Sequence, residues 1–351
     1  MTRGQEHPAL NRTSGSACGP IVMCVPVDEP SARSIRVRAS PPCGRGYGQG
    51  VTSPIDGVEV ELHDVVTNGI RLHCAVAGPQ DGELVVALHG FPEFWRGMSP
   101  VVVALARAGF RVVAPDQRGY NLSDKPESID AYNVNELAAD VAGIIEAMGR
   151  ESAYVVGHDW GAAVAWWLAL TRPERVRRLV VINVPHPSIF ARAVRGSARQ
   201  LRKSWYIFAI QVPALPERLA FGPRTRARFS RALARTANPG SFTPTYLAHL
   251  REAWARPGAA RGMLNWYRAS VRRRPGRLSD NRVHVPTLII WGRRDVALTD
   301  TMVQPSADLC DDARIEWLDD ATHWVLHDEP DRATALIVDF LREGRSEGGS
   351  R

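Results

Sequence analysis

Val155-Val156-Gly157-His158-Asp159-Trp160-Gly161-Ala162 is the stretch that decides how this chain is read. Apolar, β-prone residues end in a Gly-x-Asp-x-Gly turn, and the small-residue run Gly161-Ala162-Ala163-Val164-Ala165 then opens a helix. So abrupt a passage from strand to helix crowds the backbone around its central residue, which is why small residues are needed two positions before and two after it. The turn lifts its central side chain off the end of a sheet. Here that side chain is the carboxylate of Asp159, placed as a nucleophile. A lone Gly-x-Asp-x-Gly also fits a solvated turn; the strand before it and the small-residue helix after it favour the nucleophile.

On the amino-terminal side, Leu84 to Leu88 is a continuous apolar run, as a strand buried on both faces requires, and it stops at His89-Gly90-Phe91-Pro92. Before it, β-prone runs from Val58 to Thr67 and Ile70 to Val76 flank Asn68-Gly69, the pair that most readily supplies a two-residue hairpin turn. Helical stretches over about 99–108, 134–148 and 162–171 alternate with strand runs at 110–114, 153–156 and 179–183. Two further runs, 287–291 and 314–318, precede an amphipathic helix at about 331–341. Strands that alternate with helices have only the crossover helices to cover their apolar faces, which predicts an α/β fold with a mostly parallel, eight-stranded, doubly wound sheet.

The alternation breaks from about Pro187 to Arg282, where no buried strand run occurs and Arg-, Trp- and Tyr-rich helical stretches take over. We read a helical lid over 188–280, inserted above the carboxyl ends of the strands, where open α/β sheets bind ligands. An independent second domain is the other reading. The core is then expected from residues 56–187 and 281–345. Residues 1–55, rich in Gly, Pro, Ser and Arg, are expected to be a disordered N-terminal extension.

With 44% hydrophobic and 23% charged residues, 351 residues can bury a full core and still cover it with polar surface. The net charge of +7 comes from arginines in the tail and the middle of the chain, without a zinc-finger, recognition-helix or aromatic-basic pattern, so nucleic acid is not an expected partner. Five cysteines form no C-x-x-C pair and no cluster at metal-ligand spacing, which points to a reducing compartment, no disulfide framework and no metal. No run approaches 18 apolar residues; no membrane segment is expected, and the chain reads as cytoplasmic.

Asp295 lies just past the strand run ending at Trp291, and His323 just past the one ending at Leu318. Nucleophile, acid, histidine is the chain order of a nucleophile-elbow enzyme, with Asp295 expected to fix the tautomer of His323 and leave its other nitrogen as base. The loop His89-Gly90-Phe91-Pro92 follows the strand that opens the parallel sheet. Its Phe91 amide, together with the Trp160 amide after the nucleophile, is the expected oxyanion hole. His89, Gly90 and Pro92 are expected to support that loop, His158 to hydrogen-bond at the elbow, and His327 to be a surface or packing residue.

Four motifs carry a resemblance: His89-Gly90-Phe91-Pro92-Glu93-Phe94-Trp95, Asp116-Gln117-Arg118-Gly119-Tyr120 with Ser123-Asp124, Gly157-His158-Asp159-Trp160-Gly161, and Thr322-His323-Trp324. They look like those of the soluble epoxide hydrolases of the α/β-hydrolase superfamily, over about residues 58–343. The resemblance implies the α/β-hydrolase fold with a helical cap, no cofactor, and two lid tyrosines that hold the epoxide oxygen. Tyr206, ahead of Gln211-Val212-Pro213, and Tyr267, in Leu264-Asn265-Trp266-Tyr267-Arg268, match that pair, although many relatives carry glycine where this chain has Ala214. Phe91, Trp160, Trp205 and Trp266 are expected to line an apolar pocket, while the lid tryptophans also fit a core of the lid's own. The implied partners are a small apolar epoxide and water, and the chain a monomer or a homodimer.

Chemistry agrees with that expectation. A carboxylate attacking an acyl group would form an anhydride, whereas on an sp³ carbon bearing a leaving group it forms an ester that water can cleave. An epoxide oxygen leaves as an alkoxide and needs donors such as two phenols; a halide needs only weak ones. Haloalkane or haloacid dehalogenation is the alternative, kept open by the indole N–H of Trp160.

Overall fold

The computed structural model describes residues 54–273, 276, 278 and 280–348. The expected extension over 1–55 therefore lies outside the described residues, apart from Pro54 and Ile55.

The chain enters through a hairpin of β1 (Val60–Thr67) and β2 (Ile70–Ala77), paired antiparallel with Thr67 opposite Ile70. Asn68 and Gly69 have φ of 47° and 73°, the two positive values that let a two-residue turn follow the twist of its strands. Six more strands follow: β3 (Leu84–Leu88), β4 (Arg111–Pro115), β5 (Ala153–His158), β6 (Val176–Ile182), β7 (Thr287–Gly292) and β8 (Ala313–Leu318). They lie in the order β1-β2-β4-β3-β5-β6-β7-β8, antiparallel up to β4 and parallel beyond it. Every residue of β3, β5 and β7 is buried, as the apolar runs predict for strands covered on both faces.

Helices α1 (Ser99–Arg107), α2 (Val134–Ala147) and α3 (Trp160–Thr171) connect the first parallel strands. From β3 the chain crosses by α1 to β4 on one side, and then by α2 to β5 on the other. Right-handed crossovers in opposite directions put their helices on opposite faces of the sheet. That reversal leaves a crevice between the carboxyl ends of β3 and β5, the place where open α/β sheets hold ligands.

Between β6 and β7 the chain runs through the lid: α4 (Pro187–Gly196), α5 (Ala198–Lys203), α6 (Trp205–Ala209), α7 (Leu215–Phe221), α8 (Arg226–Ala234), α9 (Pro244–Ala255) and α10 (Ala259–Arg272). The core closes with α11 (Val303–Ala307), α12 (Val325–Asp328) and α13 (Pro330–Gly348), which packs beside α1. Among the described residues no helix is long and apolar enough to cross a membrane.

Candidate active site

Each predicted site residue of the core sits just past the carboxyl end of a strand. Asp159 follows β5 directly and caps α3, with φ 50° and ψ −122°, a conformation a non-glycine residue holds only when its surroundings impose it. The surroundings are visible: the Asp159 amide donates to the Ile182 carbonyl at 3.3 Å, and its own carbonyl accepts from the Ala163 amide at 3.0 Å. Gly161 is required by close approach, since a Cβ there would lie 2.2 Å from the Leu88 carbonyl oxygen of β3.

The Phe91 amide donates to Asp159 Oδ1 at 2.7 Å. The Trp160 amide opens α3, where helix amides lack an intrahelical acceptor and the dipole favours negative charge. His89 holds the Phe91 loop. Its Nε2 accepts from the Gln117 amide at 3.0 Å, which assigns the proton to Nδ1, donating to the Gly90 carbonyl at 3.0 Å, and burial lowers its pKa to about 4, so it stays neutral. Pro92 accepts from the Trp254 indole through its carbonyl at 2.6 Å, tying the same loop to lid helix α9.

His323 stands between two carboxylates: Nδ1 is 2.8 Å from Asp295 Oδ2, and Nε2 is 3.5 Å from Asp159 Oδ2. Asp295 is itself fixed, its Oδ1 accepting from the amides of Ala297 at 2.6 Å and Leu298 at 2.8 Å and its Oδ2 from Asn183 Nδ2 at 2.7 Å. Burial opposes charge on all three groups, but their mutual attraction overrides it. His323 is raised to about 10, and both Asp159 and Asp295 are held below the ordinary aspartate value. At neutral pH the resting site is carboxylate, imidazolium, carboxylate.

The lid brings Tyr206 and Tyr267 together, ring centroids 5.8 Å apart and edge to face. Tyr267, on α10, also meets the rings of Phe91 at 5.1 Å and Trp160 at 5.0 Å, which places the pair over the predicted oxyanion residues. Burial and the nearby carboxylates raise both phenol pKa values, so both remain protonated donors. The pocket expectation needs correction at Trp205, which is 67% exposed. On a helix the residue beside an inward Tyr206 is turned about 100° away from it. Trp266 is fully buried, its indole N–H donating to the Arg118 carbonyl at 2.9 Å and its ring edge-on to Trp160 at 5.6 Å, so it backs Trp160 and anchors α10 to the core.

Sequence reading passed over three parts of this site. Glu93 is buried beside His158 and accepts from the Tyr246 hydroxyl; His327 Nε2 lies 2.6 Å from the same oxygen and His158 Nδ1 is 3.7 Å from the other. Burial works to raise the Glu93 pKa, but the two histidines more than offset it and hold the carboxyl well below its usual range. His327 is thus a half-buried partner of Glu93, packed against the rings of Phe242 and Tyr246, which bears out the packing reading over the surface one. His158 serves the elbow as expected, its Nε2 lying 2.8 Å from the carbonyl oxygen of His323. A charge inside the aromatic stretch Phe91-Pro92-Glu93-Phe94-Trp95 was the available signal. Asn183 was legible only as the end of a strand. Gln200 and Lys203 on α5 were not visible at all: Gln200 bonds the Ala297 carbonyl and the Thr299 amide, each at 3.1 Å, and Lys203 Nζ donates to the Asp295 carbonyl at 2.8 Å, so the lid braces the loop that carries the acid.

The family model described as the α/β hydrolase fold matches residues 83–330. An α/β-hydrolase superfamily protein of Bacillus subtilis, YfhM, is 42% identical over 290 residues, covering 82% of this chain and 99% of its own. Epoxide hydrolase 1 of Caenorhabditis elegans is 35% identical over 278 residues, 78% of this chain and 68% of its own. Among solved structures, the inhibitor complex of the Bacillus megaterium epoxide hydrolase superposes with a TM-score of 0.72 at 28% identity, covering 80% of this chain and all of that one.

Proposed function

The chain belongs to the soluble epoxide hydrolase family of the α/β-hydrolase superfamily, and from that membership we propose that it opens a small apolar epoxide to a vicinal diol through an ester on Asp159. The observation that carries the reading is the pairing of two inward-facing lid phenols, half-buried Tyr206 and buried Tyr267, with a carboxylate at the elbow. The phenols supply the donors an alkoxide leaving group needs.

Asp159 Oδ1 is held by the Phe91 amide, so the attacking oxygen is Oδ2. As Oδ2 bonds to the epoxide carbon, the carbon–oxygen bond of the ring breaks and its electron pair stays on an oxygen that Tyr206 and Tyr267 hold and protonate. Esterification removes one of the two negative charges that raise His323. Its pKa then falls, the imidazolium passes its proton to the tyrosinate that ring opening left, and neutral Nε2 becomes a base. It takes a proton from water, whose oxygen attacks the Asp159 carboxyl carbon. Negative charge collects on Oδ1, against the Phe91 and Trp160 amides. Collapse breaks the bond between the carboxyl carbon and the former Oδ2, which leaves in the diol and takes the proton of the new carboxyl, restoring the Asp159 carboxylate beside the imidazolium; Asp295 holds the Nδ1 proton throughout.

A panel of terminal, aryl and internal epoxides beside haloalkanes and p-nitrophenyl esters tests the assignment, with diol, halide and phenol release followed together. Diol from epoxides is expected to dominate. Halide release exceeding diol release would move the chain to dehalogenation.

A further inference from the structure

The lid is far more basic than the rest of the chain. Residues 188–280 hold 19 of the 44 Lys and Arg but only 3 of the 37 Asp and Glu, a net +16 in a protein of net +7, and the remainder is therefore net −9. The lid is also where apolar side chains face solvent. Of nine exposed large hydrophobics among the described residues, six fall between positions 201 and 219: Leu201, Trp205, Phe208, Val212, Leu215 and Leu219.

The two faces of this segment are distinct. Gln200, Lys203 and Tyr206 recur every third residue and turn inward, to the Asp295 loop and to Tyr267. Leu201 and Trp205 lie between them and Phe208 just beyond, and all three are exposed. Exposed Arg195, Arg199, Arg202 and Arg218 flank them, and none of the four has a carboxylate partner among the described residues. Exposed arginines interleaved along the segment with exposed Trp, Phe and Leu match what an interfacial segment presents to lipid headgroups. Nucleic acid would be met by the arginines alone and would leave the aliphatic side chains unused. Residues 54–187 and 281–351 hold 19 Lys and Arg against 31 Asp and Glu, a net −12 that is repelled by an anionic surface that attracts the lid, which turns the lid toward that surface.

We propose that this outer face of the lid docks the protein on an anionic lipid surface, with Trp205, Phe208 and Leu219 as interfacial anchors and the lid arginines against the headgroups. Docked this way, Tyr206 lies on the same short helix as two of the anchors, at the surface where an apolar substrate concentrates. That last point rests on the epoxide reading; the docking itself does not.

Co-sedimentation of the full chain with phosphatidylcholine vesicles, with and without about one-third phosphatidylglycerol, tests it. Binding to the anionic vesicles is expected to be at least about tenfold tighter and to be lost at ~0.5 M salt. At about fivefold per arginine, the Arg195→Gln/Arg199→Gln/Arg202→Gln variant is expected to bind about a hundredfold more weakly. Phe208→Ser/Leu219→Ser is expected to weaken binding at least about tenfold, with turnover of a water-soluble epoxide and Tm retained in both variants. Absence of binding, equal binding to both vesicles, or binding unchanged in either variant would overturn the proposal. So would duplex DNA binding that depends only on the arginines, or a concentration-dependent dimer abolished by Phe208→Ser/Leu219→Ser without vesicle binding.

Discussion

Gly90 sits so close to Asp159 that a Cβ at position 90 would lie 2.4 Å from the Cβ of the aspartate and 2.7 Å from its Oδ1. No side chain fits between the loop and the elbow unless one of them moves. Gly90→Ala is therefore expected to displace the carboxylate from the Phe91 amide and slow ester formation by ~10²-fold or more, the usual consequence of misplacing a reacting group by about an ångström. Single-turnover ring opening measures it. A Tm lowered by only a few degrees alongside that loss would separate misplacement from unfolding.

Tyr267→Phe and Tyr206→Phe each remove one donor aimed at developing charge. Such a loss costs ~10²-fold or more in the step concerned, and the double variant should be much worse than either. The step to watch is alkylation of Asp159 in pre-steady-state experiments. Two unimpaired single variants together with an active double variant would remove the phenols from ring opening.

The charge on His323 should follow the reaction. In the free enzyme the imidazolium persists to about pH 10 because two carboxylates flank it. In the ester only Asp295 remains charged, so hydrolysis of the intermediate should rise with pH through a value clearly below 10. The comparison is between an NMR titration of His323 and the pH dependence of ester breakdown; equal values would show that Asp159 does not tune the base. Stability follows the same linkage with a definite sign. The raised His323 stabilises fully below its ordinary value near 6.5 and loses that contribution as pH climbs through about 10, while the depressed Asp159 and Asp295 stabilise above about 3.8 and lose theirs as pH falls through their folded values.

Glu93→Gln should destabilise the fold. It removes a buried charge while leaving His327, His158 and the Tyr246 hydroxyl around it. Breaking a buried pair from one side costs about 3 kcal/mol or more, which should lower Tm by about 5 °C or more. A Tm within a degree of the parent would show that Glu93 is not held as an ion.

Much of the fold was legible because its strands are buried on both faces: Leu84–Leu88 and Thr287–Gly292 read as apolar runs wherever they stand. Asp159, Asp295 and His323 were legible from chain order and strand-end placement. Local pattern could not show what depends on distant segments meeting. Tyr246 reaches Glu93 from 153 positions away and His327 from 234. Trp205 was misplaced for a different reason: α6 has five residues, too few for periodicity to tell an inward from an outward face. The position of β3 between β4 and β5, which creates the crevice, likewise depends on topology and not on any residue in those strands.

The ester on Asp159 is tested most directly by a single turnover in ¹⁸O-water with enzyme in excess, read together with the His323→Gln variant. If Oδ2 of Asp159 opens the ring, the first diol carries no solvent label and the Asp159 peptide becomes heavier by one oxygen exchange. In His323→Gln the carboxylate still attacks, but water lacks its base, so the alkylated protein accumulates and appears by intact-mass spectrometry. Labelled diol in the first turnover, or substrate consumed by His323→Gln without a covalent adduct, would contradict Asp159 as the nucleophile.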